Sequence, residues 1–357
     1  MRELAAKIER GGRITPEEAL ELFRWDDIHE LGNLANRLRE RKNGSYAYYI
    51  KNLHLNYTNY CVHACKFCGF ARRLNEPEGA WQMEIDQVLQ TAEKVGLHSL
   101  TEVHIVGGLN PRYPYDFYPT MLRALHERYP ALHIKAFTAT EIDFISKVGK
   151  RDWGTTLREL KEAGLNSLPG GGAEVFSQRV WDDICDRKTS PDKWLKIHEL
   201  AHGAGLRSTA TMLYGHIETV EERVEHMRLL RDLQDRTGGF TAFIPIAFQP
   251  EKNELAHLGR TTAMDDLRTH AVARIFLDNF DHLKAYWVTL GPRTAQVMLS
   301  FGADDIDGMI VQERIMHMSG AESPIGLTED ELVRSIRETG RIPVQRDSVY
   351  RPLHIWS

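Results

Sequence analysis

Eight extended segments recur along the chain with amphipathic helical stretches between most of them, and that alternation leaves few architectures open. The segments cover residues 50–57, 102–106, 133–137, 167–168, 208–213, 240–244 and 283–287, with a short one around Asp305. A strand followed by a helix returns to a parallel sheet by a right-handed crossover, and eight such units are the number that closes a barrel. The expected fold class is α/β, a (β/α)8 TIM barrel, and 357 residues suffice for one barrel with extensions. Residues 1–45 read as an N-terminal helical extension, in which Thr15 is an N-cap followed by Pro16, Glu17 and Glu18. Residues 46–320 would form the barrel, and 321–357 a C-terminal helix and tail packed on it. No internal repeat, low-complexity segment or obvious linker divides the chain.

Catalytic groups in such a barrel belong at the carboxyl ends of the strands. The first segment runs straight into Asn59-Tyr-Cys-Val-His-Ala-Cys-Lys-Phe-Cys-Gly-Phe-Ala-Arg-Arg73, a C-x3-C-x2-C cluster made by Cys61, Cys65 and Cys68. Three cysteines on one short loop can hold three irons of a [4Fe-4S] cube, whereas electron-carrier ferredoxins bring a fourth to close it. The fourth iron is left open to a ligand. A structural zinc site completed by His63 is the competing reading. Against it, His63 lies between the first two cysteines, and no second Cys or His pair follows at zinc-finger spacing.

The remaining cysteine, Cys185, has no evident partner and reads as an apolar packing residue, so a disulfide framework is excluded and a reducing compartment expected. A net charge of −5 without a long basic run argues against nucleic acid as a partner. The charged amino terminus lacks the apolar stretch of a signal peptide, and no segment is long enough to span a bilayer. A soluble cytoplasmic protein without a membrane partner is expected.

Other marked residues also fall at strand ends. Gly107 and Gly108 follow the second segment, where paired glycines let backbone approach a neighbour closely. Glu141 ends the run 135–141 after the third, either facing the pocket or lying in a helix start capped by Thr140. Leu168-Pro-Gly-Gly-Gly-Ala-Glu174 ends the fourth; its glycines expose N–H groups that could receive an anion, or they form a tight helix-entry loop with Glu174 in the first turn. Thr211-Met-Leu-Tyr-Gly-His-Ile-Glu218 ends the fifth, with Glu218 either part of a site or a cap for the helix near Thr219. Ile244 and Pro245 follow the sixth and read equally as a core strand.

The cysteine cluster, with aromatic Phe67 before its last cysteine, resembles the radical S-adenosylmethionine (SAM) superfamily. The resemblance implies that SAM chelates the open iron through its amino and carboxylate groups, and that the Gly107–Gly108 turn contacts the methionine amino group. Thr211, Tyr214, Gly215 and Glu218 resemble the G-x-I-x-G-x-x-E element that supports adenine, departing from it where Thr211 replaces glycine. Ile244 and Pro245 would be the apolar wall under adenine, and Glu141 a carboxylate near the SAM pocket. Where several relatives place polar side chains on the ribose, this chain has Gly171, Gly172 and then Glu174.

Runs at 59–73, 102–111, 135–142, 168–176, 211–219, 233–245 and 301–308 resemble the aminofutalosine synthase family of that superfamily, which serves menaquinone biosynthesis. The resemblance implies a transferase that adds the 5'-deoxyadenosyl radical to the enol ether of 3-[(1-carboxyvinyl)oxy]benzoate. Rearrangement and decarboxylation then give 6-amino-6-deoxyfutalosine and methionine, with an external one-electron reductant such as flavodoxin or ferredoxin. A substrate with two carboxylates calls for cationic or N–H donors in the pocket. Lys135 and Arg293 are the basic candidates, with His54, Asn56, Tyr57, Asp304 and Asp305 as polar neighbours; each basic residue also fits a surface or ion-pair role. Alternation along the first strand puts His54 and Asn56 on one face and Tyr57 on the other. The competing functions are a hydrogen-abstracting sister enzyme such as cyclic dehypoxanthine futalosine synthase, and a non-catalytic iron–sulfur electron carrier.

Overall fold

The structure, a computed structural model, describes residues 2–185 and 187–357. Its strands are β1 (Tyr46–Ile50), β2 (Asn52–Leu55), β3 (Glu102–Ile105), β4 (His133–Ala136), β5 (Ser167–Leu168), β6 (Arg207–Tyr214), β7 (Phe240–Ala247), β8 (His282–Leu283), β9 (Asp305–Gly308), β10 (Ile342–Arg346) and β11 (Pro352–Ile355). Strands β2 to β8 lie side by side in chain order, all parallel. Isolated parallel bridges Lys284↔Asp305 and Leu53↔Val311 then set the β9 segment between β8 and β2 and complete the circuit. The expected α/β barrel is therefore present, with β9 as its eighth position.

Register fixes what the barrel interior holds. His54, His104, Lys135 and Ser167 stand opposite one another across β2 to β5, and partners in a ladder share a face of the sheet. That row is polar, although strands covered on both faces are usually apolar throughout. One expected strand is shorter than its sequence suggests: residues 283–287 are rich in strand-forming types, but β8 ends at Leu283 and Trp287–Leu290 is a helical turn. Trp287 is fully buried in that turn and donates its indole N–H to Gly308 O at 2.9 Å.

Ahead of the barrel, helix Pro16–Phe23 starts at a capping box in which Glu18 N–H reaches the Thr15 hydroxyl and the Glu18 carboxylate accepts from Thr15 N. Helix Ile28–Asn43 follows, capped by Asp27. Their buried faces, including Ala19, Leu22, Leu31 and Leu34, belong to the same hydrophobic core as the barrel strands. After the barrel, helix Glu329–Glu338 leads into β10, which pairs parallel with β1, and β11 pairs antiparallel with β10. No helix among the described residues is long and apolar enough to cross a membrane.

Candidate active site

A cavity of about 280 Å³ enters at the carboxyl ends of the strands, and its lining reaches from the cysteine loop down to Glu102 at the start of β3. Cys61, Cys65 and Cys68 line its upper end together. Their loop is fastened by backbone: Cys61 N donates to Arg72 O at 2.9 Å, Val62 N to Leu109 O at 3.1 Å and Cys68 N to Cys65 O at 3.0 Å. Burial pushes the Cys61 thiol up and the Cys68 thiol up to about 11. Metal binding would therefore release protons from these groups. Among the described residues, no three His, Cys, Asp or Glu side chains converge as a single-ion site. A cubane asks its thiolates to reach three different irons, and three thiols on one loop at one end of the cavity fit that demand.

Packing explains the glycine pair. A Cβ on Gly108 would lie 2.2 Å from Tyr60 O, and one on Gly107 would lie 2.7 Å from the Tyr57 ring. The turn after β3 thus rests directly on the cysteine loop. Its N–H groups are engaged by protein: Gly108 N donates to Thr58 O at 2.9 Å and Gly107 N to Glu141 Oε1 at 3.0 Å. Glu141 also accepts from the Tyr57 hydroxyl at 3.1 Å, from Thr138 N at 2.8 Å and from the Thr138 hydroxyl at 2.9 Å. Thr138, and not Thr140, is the N-cap of helix Ala139–Gly149, with Glu141 completing the box.

Burial pushes the Glu141 carboxyl up to about 7, against the opposing pull of those hydrogen bonds. A carboxyl raised in the folded chain stabilises fully below its ordinary value of 4.5 and loses that contribution as pH rises through 7. Glu141→Gln should therefore remove about 3 kcal/mol of pH dependence between those limits. Chemical denaturation across that range checks it, through a flatter slope in the variant.

Beside the cysteines, Gly170, Gly171 and Gly172 line the cavity, with Gly172 at φ +84°. Glu174 lies in the loop ahead of helix Gln178–Ile184 and not in a first turn; it holds a left-handed φ of +45° and is ion-paired with Lys188. Lys188 lies 5.3 Å from the centre of the Phe67 ring and lines the same cavity. It sits in a loop fourteen residues from its partner, so no periodic signal marked it. Cys185 packs beside apolar side chains, as expected, but its thiol also hydrogen-bonds Cys65, which pushes it up.

The ends of β6 and β7 divide the expected adenine residues. Thr211 lines the cavity and donates its hydroxyl to Gly170 O at 2.8 Å. Tyr214, Gly215 and Glu218 do not line it. The Tyr214 hydroxyl donates to Asp266 at 2.7 Å, while Glu218 accepts from Gly215 N, His216 N and Arg223 and organises the loop. The helix cap is Thr219 with Glu222. Ile244 faces the cavity as expected; Pro245 points to the other side of β7, and its alternate neighbour Ile246 takes the wall position.

Lower down, His54, Asn56 and Lys135 line the cavity. Asn56 donates to Val106 O at 2.8 Å, and its Oδ1 has no hydrogen-bond partner among the described residues. Tyr57 turns away into a cluster with Tyr113, Phe117, Tyr118 and Phe137. Three other candidates also lie outside the cavity. Arg293 is exposed on helix Pro292–Met298. Asp304 is buried against Arg274 and His282, and Asp305 accepts from Arg346 at 2.6 Å. The aspartate of β9 that does reach the cavity is Asp307, paired with Lys284 at 3.0 Å. His104, Glu102, Tyr286 and Glu313 join it there.

Residues 55–230 match the family described as the Radical SAM superfamily, and 237–356 match the CofH/MqnC C-terminal region. Aminodeoxyfutalosine synthase of Thermus thermophilus is 48% identical over 99% of this chain and 96% of its own length. The chain belongs to the radical SAM superfamily. Radical SAM proteins use a [4Fe-4S] cluster and SAM, and Cys61, Cys65 and Cys68 fit the motif. Cyclic dehypoxanthine futalosine synthase of Streptomyces coelicolor is 40% identical over 96% of this chain and 86% of its own length. Among solved structures, methylornithine synthase shares the fold at a TM-score of 0.73 and 16% identity, over 96% of this chain and 97% of its own.

Proposed function

We propose that this radical SAM protein is an aminofutalosine synthase, adding the 5'-deoxyadenosyl radical to 3-[(1-carboxyvinyl)oxy]benzoate and producing 6-amino-6-deoxyfutalosine and methionine. The observation that carries the reading is the end-to-end identity of 48% to an aminodeoxyfutalosine synthase, higher than the 40% to the sister enzyme. When bound, the cluster and SAM supply the radical by one-electron reductive cleavage.

The chain's residues do the rest by position. Cys61, Cys65 and Cys68 would hold the cluster at the upper end of the cavity. Phe67, Gly107, Gly108, Thr211 and Ile244 would shape the SAM pocket, with Glu141 locking the Gly107 turn. Phe70, Leu213, Ile246 and Phe248 give the upper cavity an apolar wall, which limits competing hydrogen donors and excludes water from a radical. Holding the alkene against C5' converts addition into a reaction within one complex. Lys135, His54 and Asn56 would meet the polar part of the substrate. The protein would work in the cytoplasm with an external one-electron donor.

The sister activity uses a different acceptor, so substrate competition separates the two. Reduced, cluster-loaded protein with SAM should release methionine only when the enolpyruvyl benzoate is supplied. Consumption of dehypoxanthine futalosine in its place would contradict the assignment.

A further inference from the structure

The lower end of the cavity is built from charge. Lys135 on β4 meets Glu102 on β3 at 2.6 Å, and Lys284, just past β8, meets Asp307 on β9 at 3.0 Å; each of these four side chains is at most 7% exposed. Between the pairs, the rings of His54 and His104 lie 4.6 Å apart. All six residues line the open cavity. Asp307 is held at φ +68°, a left-handed conformation that costs a non-glycine residue on the order of 1 kcal/mol or more, and its N–H donates to Asp305 Oδ1 at 2.6 Å.

A floor needed only for stability has a simpler solution, because replacing buried ion pairs by apolar side chains is often neutral or stabilising, and barrel interiors are commonly filled by branched apolar layers. Here two ammonium groups face open space, each with an internal carboxylate that a ligand could displace. With both imidazoles neutral, the two pairs sum to zero charge. Burial holds both histidines below their ordinary range; His104 is lowered further by His54, Lys135 and Lys284, and His54 by Lys135. Glu102 opposes this at both rings, and Asp307 and Glu313 oppose it at His54. Glu313 is itself occupied by His317 at 2.7 Å, Arg346 reaches Asp307 by charge alone, and Tyr286 is the remaining titratable group on this wall.

We propose that this floor receives the aryl carboxylate of the substrate between Lys135 and Lys284, and that one of the two imidazoles takes up a proton as the anion enters. The proposal rests on the function proposed above and deepens it. The cysteines lie at the opposite end of the cavity, so the alkene belongs there with C5'. The enolpyruvyl carboxylate is attached to the alkene and is the one lost, whereas the aryl carboxylate lies across the ring and is retained. One carboxylate entering a neutral floor leaves one negative charge, and a proton on His54 or His104 cancels it. The sign follows: the anion raises the histidine, so binding consumes a proton between the free and bound values and weakens as pH rises through that window.

The test uses anaerobic, cluster-loaded protein with SAM and 3-hydroxybenzoate, which keeps the aryl carboxylate and lacks the alkene. Calorimetry in two buffers of different ionisation enthalpy should show uptake of about one proton per site near neutral pH. Lys284→Met should weaken the probe on the order of ten- to a hundredfold. Asp307→Asn should tighten it, because the internal counter-ion no longer competes; a pair with only a structural role would not give that gain. The uncharged 3-hydroxyacetophenone should bind at least about tenfold more weakly. Binding without proton uptake, or equal binding of the ketone, would overturn the proposal, and neither result depends on a variant folding. The functional reading fails separately: probe binding with proton uptake but no turnover of the enolpyruvyl benzoate would remove the substrate while leaving the anion site.

Discussion

Cys68→Ser is expected to leave a folded chain that no longer retains its cluster, with iron falling from about four atoms per chain to a small fraction of that. SAM cleavage should fall by at least about a thousandfold. A serine hydroxyl is a harder and far less acidic ligand than a thiol, and it binds iron of a cluster far less well. Cys185 provides the control. It hydrogen-bonds Cys65 yet belongs to a separate segment packed beside Val180, Ile184 and Phe248, so Cys185→Ala should keep its iron. Iron and sulfide analysis of the reconstituted proteins, with the visible charge-transfer absorption, checks both. Full loading of the Cys68 variant would contradict the three-thiolate assignment.

Gly108→Ala should damage the same site without touching a ligand. The added methyl would lie 2.2 Å from Tyr60 O, 2.8 Å from Tyr60 C and 3.1 Å from Asn59 C, all backbone atoms of the segment that leads into Cys61. Backbone cannot rotate away as a side chain can, so the cysteine loop has to move. A loss of about 2–4 kcal/mol is expected, the upper range for overpacking, together with poor cluster retention in the fraction that folds. Gly171→Ala makes the comparison, since its nearest neighbour would be the Thr138 methyl at 3.3 Å. Its cost should stay below about 1 kcal/mol. Denaturant unfolding of the two variants and iron content after reconstitution measure the difference.

The sequence showed most clearly those features that depend on local pattern. The cysteine spacing lies within eight residues, and strands 102–106, 133–137 and 167–168 were legible because turn residues bracket short β-rich runs. The observed strands agree with them to within one residue. Side-chain direction was harder to read. Pro245 and Ile244 are adjacent, and only the strand pleat decides that Ile244 and Ile246 face the cavity. Tyr214 and Glu218 carry the residue types of a binding element, yet Asp266, 52 residues on from Tyr214, and Arg223, five on from Glu218, draw them away from the cavity.

The charged floor shows only faintly in the sequence. Glu102 and His104 stand at alternate positions of a parallel strand whose covered faces would ordinarily both be apolar, and that anomaly was available in the sequence. Lys188 and Lys284 offered no such signal. Their partners Glu174 and Asp307 are fourteen and twenty-three residues away; the first pair is joined across helix Gln178–Ile184 and the second across the seam between β8 and β9. Arg293 has the charge that a substrate carboxylate would need, but Pro292 starts a helix on which Arg293 is exposed.

The most direct test of the whole account follows the carbon that forms the new bond. Reduced, cluster-loaded protein is given SAM labelled with carbon-13 at C5' and 3-[(1-carboxyvinyl)oxy]benzoate, and the products are read by mass spectrometry and carbon NMR. A single adenosyl adduct is expected, carrying the label at a carbon bonded to the former alkene and formed in step with methionine and with loss of the enolpyruvyl carboxylate. Label recovered only in free 5'-deoxyadenosine would contradict it, because the chain would then abstract hydrogen and not add the radical to its substrate.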